Sequence, residues 1–396
     1  MKKILIVSHA LQLGGAERSL IGLLETIDPK EYQVDLFLLR HEGELMQYIP
    51  SYVNLLPEIP AYTVLARPIK DVIREGHLML ATARVVAKLS ADLYIKKYGY
   101  SDKSVELEYS HKYLYPLLPK IEKNTRYDLA ISFLTPHYFV AKKVNAKKKI
   151  AWIHTDYTKI QVNVNSELKM WDSYDNIVSI SNSVTKNFLK VFSSLASKIV
   201  LIENILSKSF ILRQSEQEDF TFSSTGVNIL SIGRYCEQKN FDNVPDICRR
   251  LVEKGLNVYW YIIGFGPDEK LIKEKIKQNN MCDRVILLGK KQNPYPYIKC
   301  CDLYVQPSRY EGKSVTVREA QILAKPVVIT NYPTANDQLT NNYDGIIVPL
   351  DNERCADGIF NVLNNSEKMA QLSCNCKLND YTNSKYVNKL YELVDW

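Results

Sequence analysis

The stretch that most constrains the fold is residues 300–330, in which two short apolar runs enclose a loop and a helical segment. The first run leads into a loop rich in Pro, Ser and Gly, a helix is predicted to begin near Thr316, and the second run follows. This strand-loop-helix-strand order is typical of a parallel α/β sheet. Ligands of such sheets bind at the carboxyl ends of strands and at helix amino termini, where backbone N–H groups and the helix dipole favour anions.

Glu311 and Glu319 lie eight residues apart in this loop and helix, and two interpretations of the pair are open. In the first, Thr316 and Glu319 form a capping box, in which a Glu at the third helical position reaches back to the N-cap amide. In the second, both carboxylates belong to a ligand site. The pair alone favours the cap, so the site interpretation depends on the rest of the chain.

Chain length and composition indicate a globular protein of two domains. The 396 residues are too many for one ordinary core and suit two domains of roughly 200 residues each. Hydrophobic residues make up 46% and charged residues 24%, as in soluble proteins. The amino terminus lacks a signal-peptide pattern, and no apolar run approaches the ~20 residues that a membrane span requires. We expect a cytoplasmic protein that contacts a membrane, if at all, as a peripheral protein at its inner face.

The cysteines and histidines argue against a metal site. All eight cysteines lie beyond residue 235, whereas all six histidines lie in the first half of the chain. Neither Cys300-Cys301 nor Cys374-x-Cys376 has the spacing of metal ligands. Without a secretory signal the thiols should stay reduced. We expect them to serve packing.

Positive charge is concentrated near the amino terminus. Residues 1–150 carry 22 Lys and Arg against 16 Asp and Glu, so six of the seven net positive charges lie there. Residues 66–98 hold seven basic and three acidic residues among apolar ones, which predicts a basic amphipathic helix from about Ile69 to Lys97. Its partner is either an anionic membrane surface or only solvent. Nucleic acid is the weaker alternative because no recognition motif accompanies the charge.

Two strand ends in the first half carry candidate site residues. Gly14 and Gly15 lie at the turn between a strand and an amphipathic helix, where phosphates could approach backbone amides, although neither GxGxxG nor a Walker sequence is present. A second strand, Lys149 to Ile153, is followed by His154, where a side chain would project from the sheet edge. A ligand-free turn and a structural histidine remain the alternatives.

The second half begins afresh after residues 212–226, which are polar and Ser-rich and predict a linker. Three predicted strands then each end in glycine, at Gly233, at Gly264-Phe265-Gly266-Pro267 and at Gly289. This pattern indicates backbone crowding at one sheet edge, as around a bound nucleotide. Arg234 and Lys239 bring two cations to that edge.

Together these motifs resemble the retaining glycosyltransferases of family 4, and WIHTDY with the loop 332–338 looks like a subgroup associated with capsular and exopolysaccharide synthesis. The resemblance implies a GT-B fold, an α/β architecture of two Rossmann-like domains facing across a cleft. Residues 1–205 would bind the acceptor and residues 206–384 the nucleotide sugar. Residues 385–396 would form a helix that crosses back to the first domain.

The resemblance also implies roles for individual residues. Arg234 and Lys239 would pair with the donor diphosphate, Glu319 with the ribose, and Glu311 would lie near the donor sugar. His154 would position the sugar or its phosphate, and Gly15 would border the reacting centre. The implied catalytic residues are His154, Glu311 and Gly15, and the implied donor-binding residues are Arg234, Lys239, Gly264, Gly266, Ser314, Val315, Thr316 and Glu319.

The implied reaction is a hexosyltransferase-type transfer, with retention, from a UDP- or GDP-linked sugar to a hydroxyl of a glycan or lipid-linked acceptor. No cofactor and no metal are expected, and the absence of Asp-x-Asp from the sequence agrees with metal independence. Lys313 and Ser314 follow Gly312 where similar enzymes often have Phe-Gly, so Lys313 either adds a third cation or faces solvent. The alternative is a catalytically inactive nucleotide-sugar-binding or regulatory protein of GT-B fold, and the four retained charged residues argue against it.

Overall fold

The computed structural model of the chain describes residues 1–134, 136–222 and 225–395. The chain divides into two compact units, of which the first comprises residues 1–205 and 384–396 and the second residues 206–383.

The first unit is built on a parallel sheet of seven strands in the order β3-β2-β1-β4-β5-β6-β7. The strands are β1 Lys2–Ser8, β2 Tyr32–Leu38, β3 Asn54–Leu55, β4 Tyr127–Ser132, β5 Ala146–Ile153, β6 Asn176–Ser179 and β7 Ile199–Leu201. The β1 residues Ile4 to Val7 are buried on both faces of the sheet. Such continuous apolar runs are what a parallel sheet covered on both sides requires.

Within the described residues, eight α-helices follow or connect these strands. They are α1 Gly15–Thr26, α2 Pro60–Thr63, α3 Ile69–Arg74, α4 Leu78–Tyr98, α5 Ser104–Leu114, α6 His137–Lys143, α7 Val164–Asp172 and α8 Asn182–Val191. In α1 the apolar positions Leu20, Leu23 and Leu24 are buried, as their helical spacing predicts. Side-chain caps set other starts, such as Ser181 before α8, whose Oγ accepts a hydrogen bond from the Val184 amide at 3.1 Å.

The single helix predicted from Ile69 to Lys97 is wrong. The segment forms α3 and α4, with Gly76 between them at φ +83°, a conformation that favours glycine and ends the first helix. Helix α4 packs against α5 through a small core of Ala87, Ala91, Val105 and Tyr109.

The second unit repeats the same sheet order with six parallel strands, β10-β9-β8-β11-β12-β13. The strands are β8 Val227–Ile232, β9 Val258–Ile263, β10 Val285–Gly289, β11 Leu303–Gln306, β12 Val327–Thr330 and β13 Ile346–Val348. The helices are α9 Lys208–Ser215, α10 Val244–Glu253, α11 Glu269–Gln278, α12 Tyr295–Cys300, α13 Val315–Ile322, α14 Ala335–Gln338, α15 Asn352–Leu363 and α16 Ser366–Leu378.

The predicted linker, residues 212–226, is largely part of the second unit. Its first residues complete α9, where Gln214 and Ser215 are buried. Phe220 then packs on Tyr297 with ring centroids 4.0 Å apart. These packed contacts correct the prediction that residues 212–226 form a linker, although residues 223–224 lie outside the described residues.

The last helix, α17 Val387–Asp395, belongs to the first unit. The Tyr391 ring stacks on Tyr32 with centroids 4.5 Å apart, and Leu390 is completely buried. The Lys389 Nζ donates to the Leu201 carbonyl at 3.0 Å. Trp396 of the predicted tail lies outside the described residues. Across the described chain, no helix combines the length and the apolar character that crossing a membrane would take.

Candidate active site

The site begins with the position of two strands. In the second unit β8 and β11 are neighbours, although they are far apart in sequence, and the strand order reverses between them. Ligands of doubly wound sheets bind outside the carboxyl ends of the strands at such a switch point. The loops after β8 and β11, residues 233–243 and 307–314, therefore form the expected binding edge.

The two loops are clamped to each other. Asn240 is buried with φ +59°, and its Nδ2 donates to the Pro307 carbonyl at 2.9 Å. Arg309 donates two hydrogen bonds to Asp242, at 3.0 and 2.8 Å, and the bidentate contact raises the pKa of Arg309. These contacts fix the loops before any ligand arrives.

Lys239 and Glu311 meet across the clamp. The Lys239 Nζ lies 2.6 Å from Glu311 Oε1, and the two side chains are only 16% and 6% exposed. Ser308 Oγ donates to the same carboxylate at 2.6 Å and Gln238 Nε2 at 3.3 Å. One cation and two neutral donors thus hold the Glu311 carboxylate in place.

Glycines make room for this arrangement. A Cβ on Gly233 would lie 3.0 Å from Lys239 Cε, so the glycine lets the lysine stem pass over the strand end. A Cβ on Gly264 would lie 1.9 Å from the Gly233 carbonyl oxygen, and one on Gly266 would lie 2.3 Å from the Tyr235 carbonyl oxygen. The predicted crowding at these two positions is confirmed, and the crowding atoms belong to the chain's own backbone. Gly289 differs, because a Cβ there would meet no atom within 4 Å. Its φ of +68° is what favours glycine.

Arg234 lies beside this cluster on the loop after β8. Its side chain is exposed, and within residues 1–134, 136–222 and 225–395 it makes no hydrogen bond or ion pair. An exposed guanidinium at a sheet switch point is available to an anionic ligand.

Helix α13 shows that the capping-box interpretation is wrong. Ser314 is the N-cap and Val315 the first helical residue, so Glu319 is the fifth helical residue and lies beyond the reach of the N-cap amide. Glu319 is instead completely buried, and its Oε1 accepts a hydrogen bond from the Tyr295 hydroxyl at 2.8 Å. A ribose would reach this carboxylate only after neighbouring groups move, and the ribose role stays a prediction.

Gln338 is a site residue that the sequence analysis missed. Its Oε1 accepts from the Ser314 amide at 2.7 Å, and its Nε2 donates to the Ser314 carbonyl at 3.2 Å. The Ser314 N–H thus has an acceptor within the chain, and the donor-binding role of Ser314 stays a prediction. Val315 and Thr316 then carry the next amides at the helix start, which by position lack an intrahelical acceptor. The only sequence signal was the unusual loop at residues 332–338.

Replacing Gln338 with Leu should loosen the start of α13. The change leaves the buried Ser314 amide without its acceptor, which costs about 1–3 kcal/mol in the free energy of unfolding. We expect a lower urea midpoint together with a higher KM for the donor. Gln371→Leu, a change to an exposed glutamine on α16, is the matched control. Unchanged donor KM in Gln338→Leu would contradict a positioning role.

The first unit carries the remaining predicted residues. Gly15 is the exposed first residue of α1, and the Glu17 carboxylate folds over the preceding Gly14. Burial raises the pKa of Glu17. His154 follows β5 and its ring packs on Phe133 with centroids 4.9 Å apart. Gly15 and His154 therefore lie beyond strand ends of the first sheet, and their catalytic roles stay predictions.

His154 is a neutral imidazole near pH 7. Burial lowers its pKa to about 4, and among the described residues its buried Nε2 has no hydrogen-bond partner. A neutral ring can exchange a hydrogen bond with a sugar or phosphate oxygen, but it supplies no positive charge. In the described part of the chain, no group of three or more His, Cys, Asp or Glu residues could hold a metal ion.

Comparison with known proteins agrees with the geometry of the second unit. Residues 213–378 match the glycosyl transferases group 1. The matched segment contains Arg234, Lys239, Glu311 and Glu319, and it covers less than half of the chain.

Relatives and a solved structure extend the comparison. An uncharacterized glycosyltransferase of Methanocaldococcus jannaschii is 24% identical over 269 residues, or 62% of this chain and 75% of that protein. The UDP-Gal:alpha-D-GlcNAc-diphosphoundecaprenol alpha-1,3-galactosyltransferase of Escherichia coli is 26% identical over 171 residues, or 41% of this chain and 39% of that protein. The crystal structure of Anabaena HepE with UDP and glucose covers 100% of both chains, with a TM-score of 0.69 and 16% identity. The chain has the predicted GT-B fold, and the sequence matches indicate a glycosyltransferase.

Proposed function

We propose that the protein is a retaining, hexosyltransferase-type glycosyltransferase of family 4. It transfers a sugar from a UDP- or GDP-linked donor to a hydroxyl of a glycan or lipid-linked acceptor during synthesis of a capsular or other surface polysaccharide. The observation that carries the proposal is the placement of Arg234, Lys239 and Glu311 on two clamped loops at the switch point of the second sheet. This edge lies in the segment that matches the glycosyl transferases.

The charges suit the departure of a nucleoside diphosphate. Cleavage of the bond between the sugar and the phosphate leaves negative charge on the diphosphate, which Arg234 and Lys239 would stabilise together with the amides at the start of α13. Lys239 would then pair with both the diphosphate and the Glu311 carboxylate. The Glu311 carboxylate accepts hydrogen bonds from sugar hydroxyls and so fixes the orientation of the sugar relative to the leaving diphosphate.

The acceptor would bind to the first unit, where Gly15 and His154 lie. Front-face attack accounts for retention without a carboxylate nucleophile, because a departing phosphate oxygen takes the proton of the incoming hydroxyl. Neutral His154 would orient the donor sugar or its phosphate by a hydrogen bond. A lipid-linked diphosphate acceptor is supported by the excess of basic residues in this half of the chain and by the name of the Escherichia coli relative.

The test is a transfer assay with labelled UDP- and GDP-sugars and polyprenyl-diphosphate-linked acceptors. The proposal predicts one donor whose sugar is transferred, and NMR of the product should show the anomeric configuration of the donor. An inverted product would rule out the retaining mechanism. Donor binding without transfer or hydrolysis under any condition would instead support the alternative, an inactive nucleotide-sugar-binding protein.

Transfer should continue in excess EDTA, because we assign the diphosphate charge to side chains and a helix start and not to a divalent ion. The measurement is the initial rate after dialysis against EDTA, with and without added magnesium or manganese. Equal rates are expected. Loss of activity that either metal restores would show that the charge assignment is wrong.

A further inference from the structure

Helix α4 presents a set of large apolar side chains to solvent. The exposed side chains, with their exposed fractions, are Leu78 (61%), Met79 (71%), Val85 (44%), Val86 (43%), Leu89 (58%) and Leu93 (70%). The buried residues of the helix are Leu80, Ala81, Ala87 and Ala91, so only one large apolar side chain of the helix is buried while six are exposed. A helix adapted only to water turns most of its large apolar residues towards the core.

The exposed residues form one continuous strip. Leu78, Leu89 and Leu93 recur at helical spacings with the two valines between them, so their side chains share one face of α4. From Leu78 to Leu93 the strip is about 22 Å long at 1.5 Å per residue. Contiguous exposed apolar surface of this kind marks an interaction site more often than scattered single residues do.

The orientation of the strip is fixed by contacts on the other side of the helix. Ala87 and Ala91 pack with Val105 and Tyr109 of α5. Arg84 Nη1 donates to the Val64 carbonyl at 2.7 Å. Rotating α4 to bury the leucines would break both sets of contacts.

The charge around the strip identifies its partner. Lys96 and Lys97 follow Leu93 and are exposed, and Lys70 and Arg74 precede the strip at its other end. Between residues 69 and 98 there are six Lys and Arg against three Asp and Glu. An apolar face bounded by lysines matches the interface of an anionic bilayer. There the acyl chains contact the apolar side chains, and the anionic headgroups bind the basic ones. A second copy of the chain would bring like charges together.

We propose that the outward face of α4, residues 78–93 with Lys96 and Lys97, lies in the interface of an anionic membrane. The helix would be parallel to the bilayer plane, with its apolar side chains inserted ~5–10 Å. This surface does not depend on the sugar-transfer proposal, because it includes none of the residues assigned to donor, acceptor or chemistry.

The test is sedimentation of the full chain with vesicles of phosphatidylcholine alone or with 30% phosphatidylglycerol, at low and high salt. Binding should favour the anionic vesicles and weaken with salt. Leu89→Ser with Leu93→Ser should reduce binding by about tenfold or more on both vesicle types, since each change removes a leucine side chain that would insert into the bilayer. Lys96→Gln with Lys97→Gln should reduce it by about tenfold on anionic vesicles only. Leu378→Ser, a change to a 75% exposed leucine on α16, is the matched control.

Three outcomes would overturn the proposal. The first is no binding to anionic vesicles, and the second is equal binding by the parent chain and the Leu89→Ser, Leu93→Ser variant. The third is a dimer in solution that this variant converts to a monomer without any vesicle binding, which would assign the strip to a second copy. Hydrolysis of a soluble donor should be unchanged in the variant, and circular dichroism checks its folding. A failed membrane test with intact hydrolysis therefore leaves the proposed function standing.

Discussion

Lys239→Ala should lower donor affinity and turnover by about ten- to a hundredfold, and Arg234→Ala by a similar factor. Each change removes a hydrogen bond to a charged phosphate, worth about 1.5–3 kcal/mol. The two variants should differ in stability. Arg234 is exposed and unpaired within the described residues, so its loss should leave the free energy of unfolding unchanged, whereas Lys239→Ala leaves the buried Glu311 carboxylate without its cation.

Donor titration measures the affinity, initial rates measure the turnover, and urea unfolding measures the stability of each variant. Lys270→Ala on α11 is the control, since that lysine is 91% exposed and its Nζ lies 4.0 Å from Glu274 Oε1. Unchanged donor affinity in both Arg234→Ala and Lys239→Ala would exclude the phosphate assignment.

Glu311→Gln should reduce turnover by about a hundredfold or more while free UDP or GDP binds as well as before, or more tightly. The amide keeps the shape of the side chain but loses the charge that Lys239, Ser308 and Gln238 surround. Because Glu311 is assigned to the sugar, we expect weaker binding of the sugar-bearing donor and a lower kcat. Lys239 then no longer pairs with a carboxylate, so its positive charge is available to the diphosphate of the nucleotide.

Calorimetric titration of the free nucleotide beside the kinetics separates these effects. Glu274→Gln, a change to an exposed carboxylate on α11, should alter neither measurement. A loss of nucleotide affinity in Glu311→Gln as large as that in Lys239→Ala would mean that Glu311 supports the phosphate site and not the sugar.

The strands and the positions of their carboxyl ends could be predicted from the sequence, since buried parallel strands are short apolar runs and several of their ends are marked by glycine. Arg234, Lys239 and Glu311 were proposed as site residues this way. Their mutual arrangement was not, because Lys239 and Glu311 are 72 residues apart and are joined only by the pairing of β8 with β11.

Local patterns failed where a distant group competes with them. Thr316 and Glu319 match a capping box, yet Tyr295 binds the Glu319 carboxylate from another helix. Gln338 reaches Ser314 across a strand and a loop, and no local pattern marks such a contact. For α4 the sequence predicted a helix with basic and apolar residues, but which face is buried is decided by α5.

The most direct test of the central claim is a thermal-shift screen of the full chain against a panel of UDP- and GDP-sugars. A ligand that binds only the folded state raises the melting temperature, and at a hundred times its Kd it adds about 2.7 kcal/mol of stability. At least one nucleotide sugar should give a clear upward shift, and the shift should be lost in the Arg234→Ala, Lys239→Ala double variant. No shift with any nucleotide sugar, or an equal shift in the double variant, would contradict the central claim.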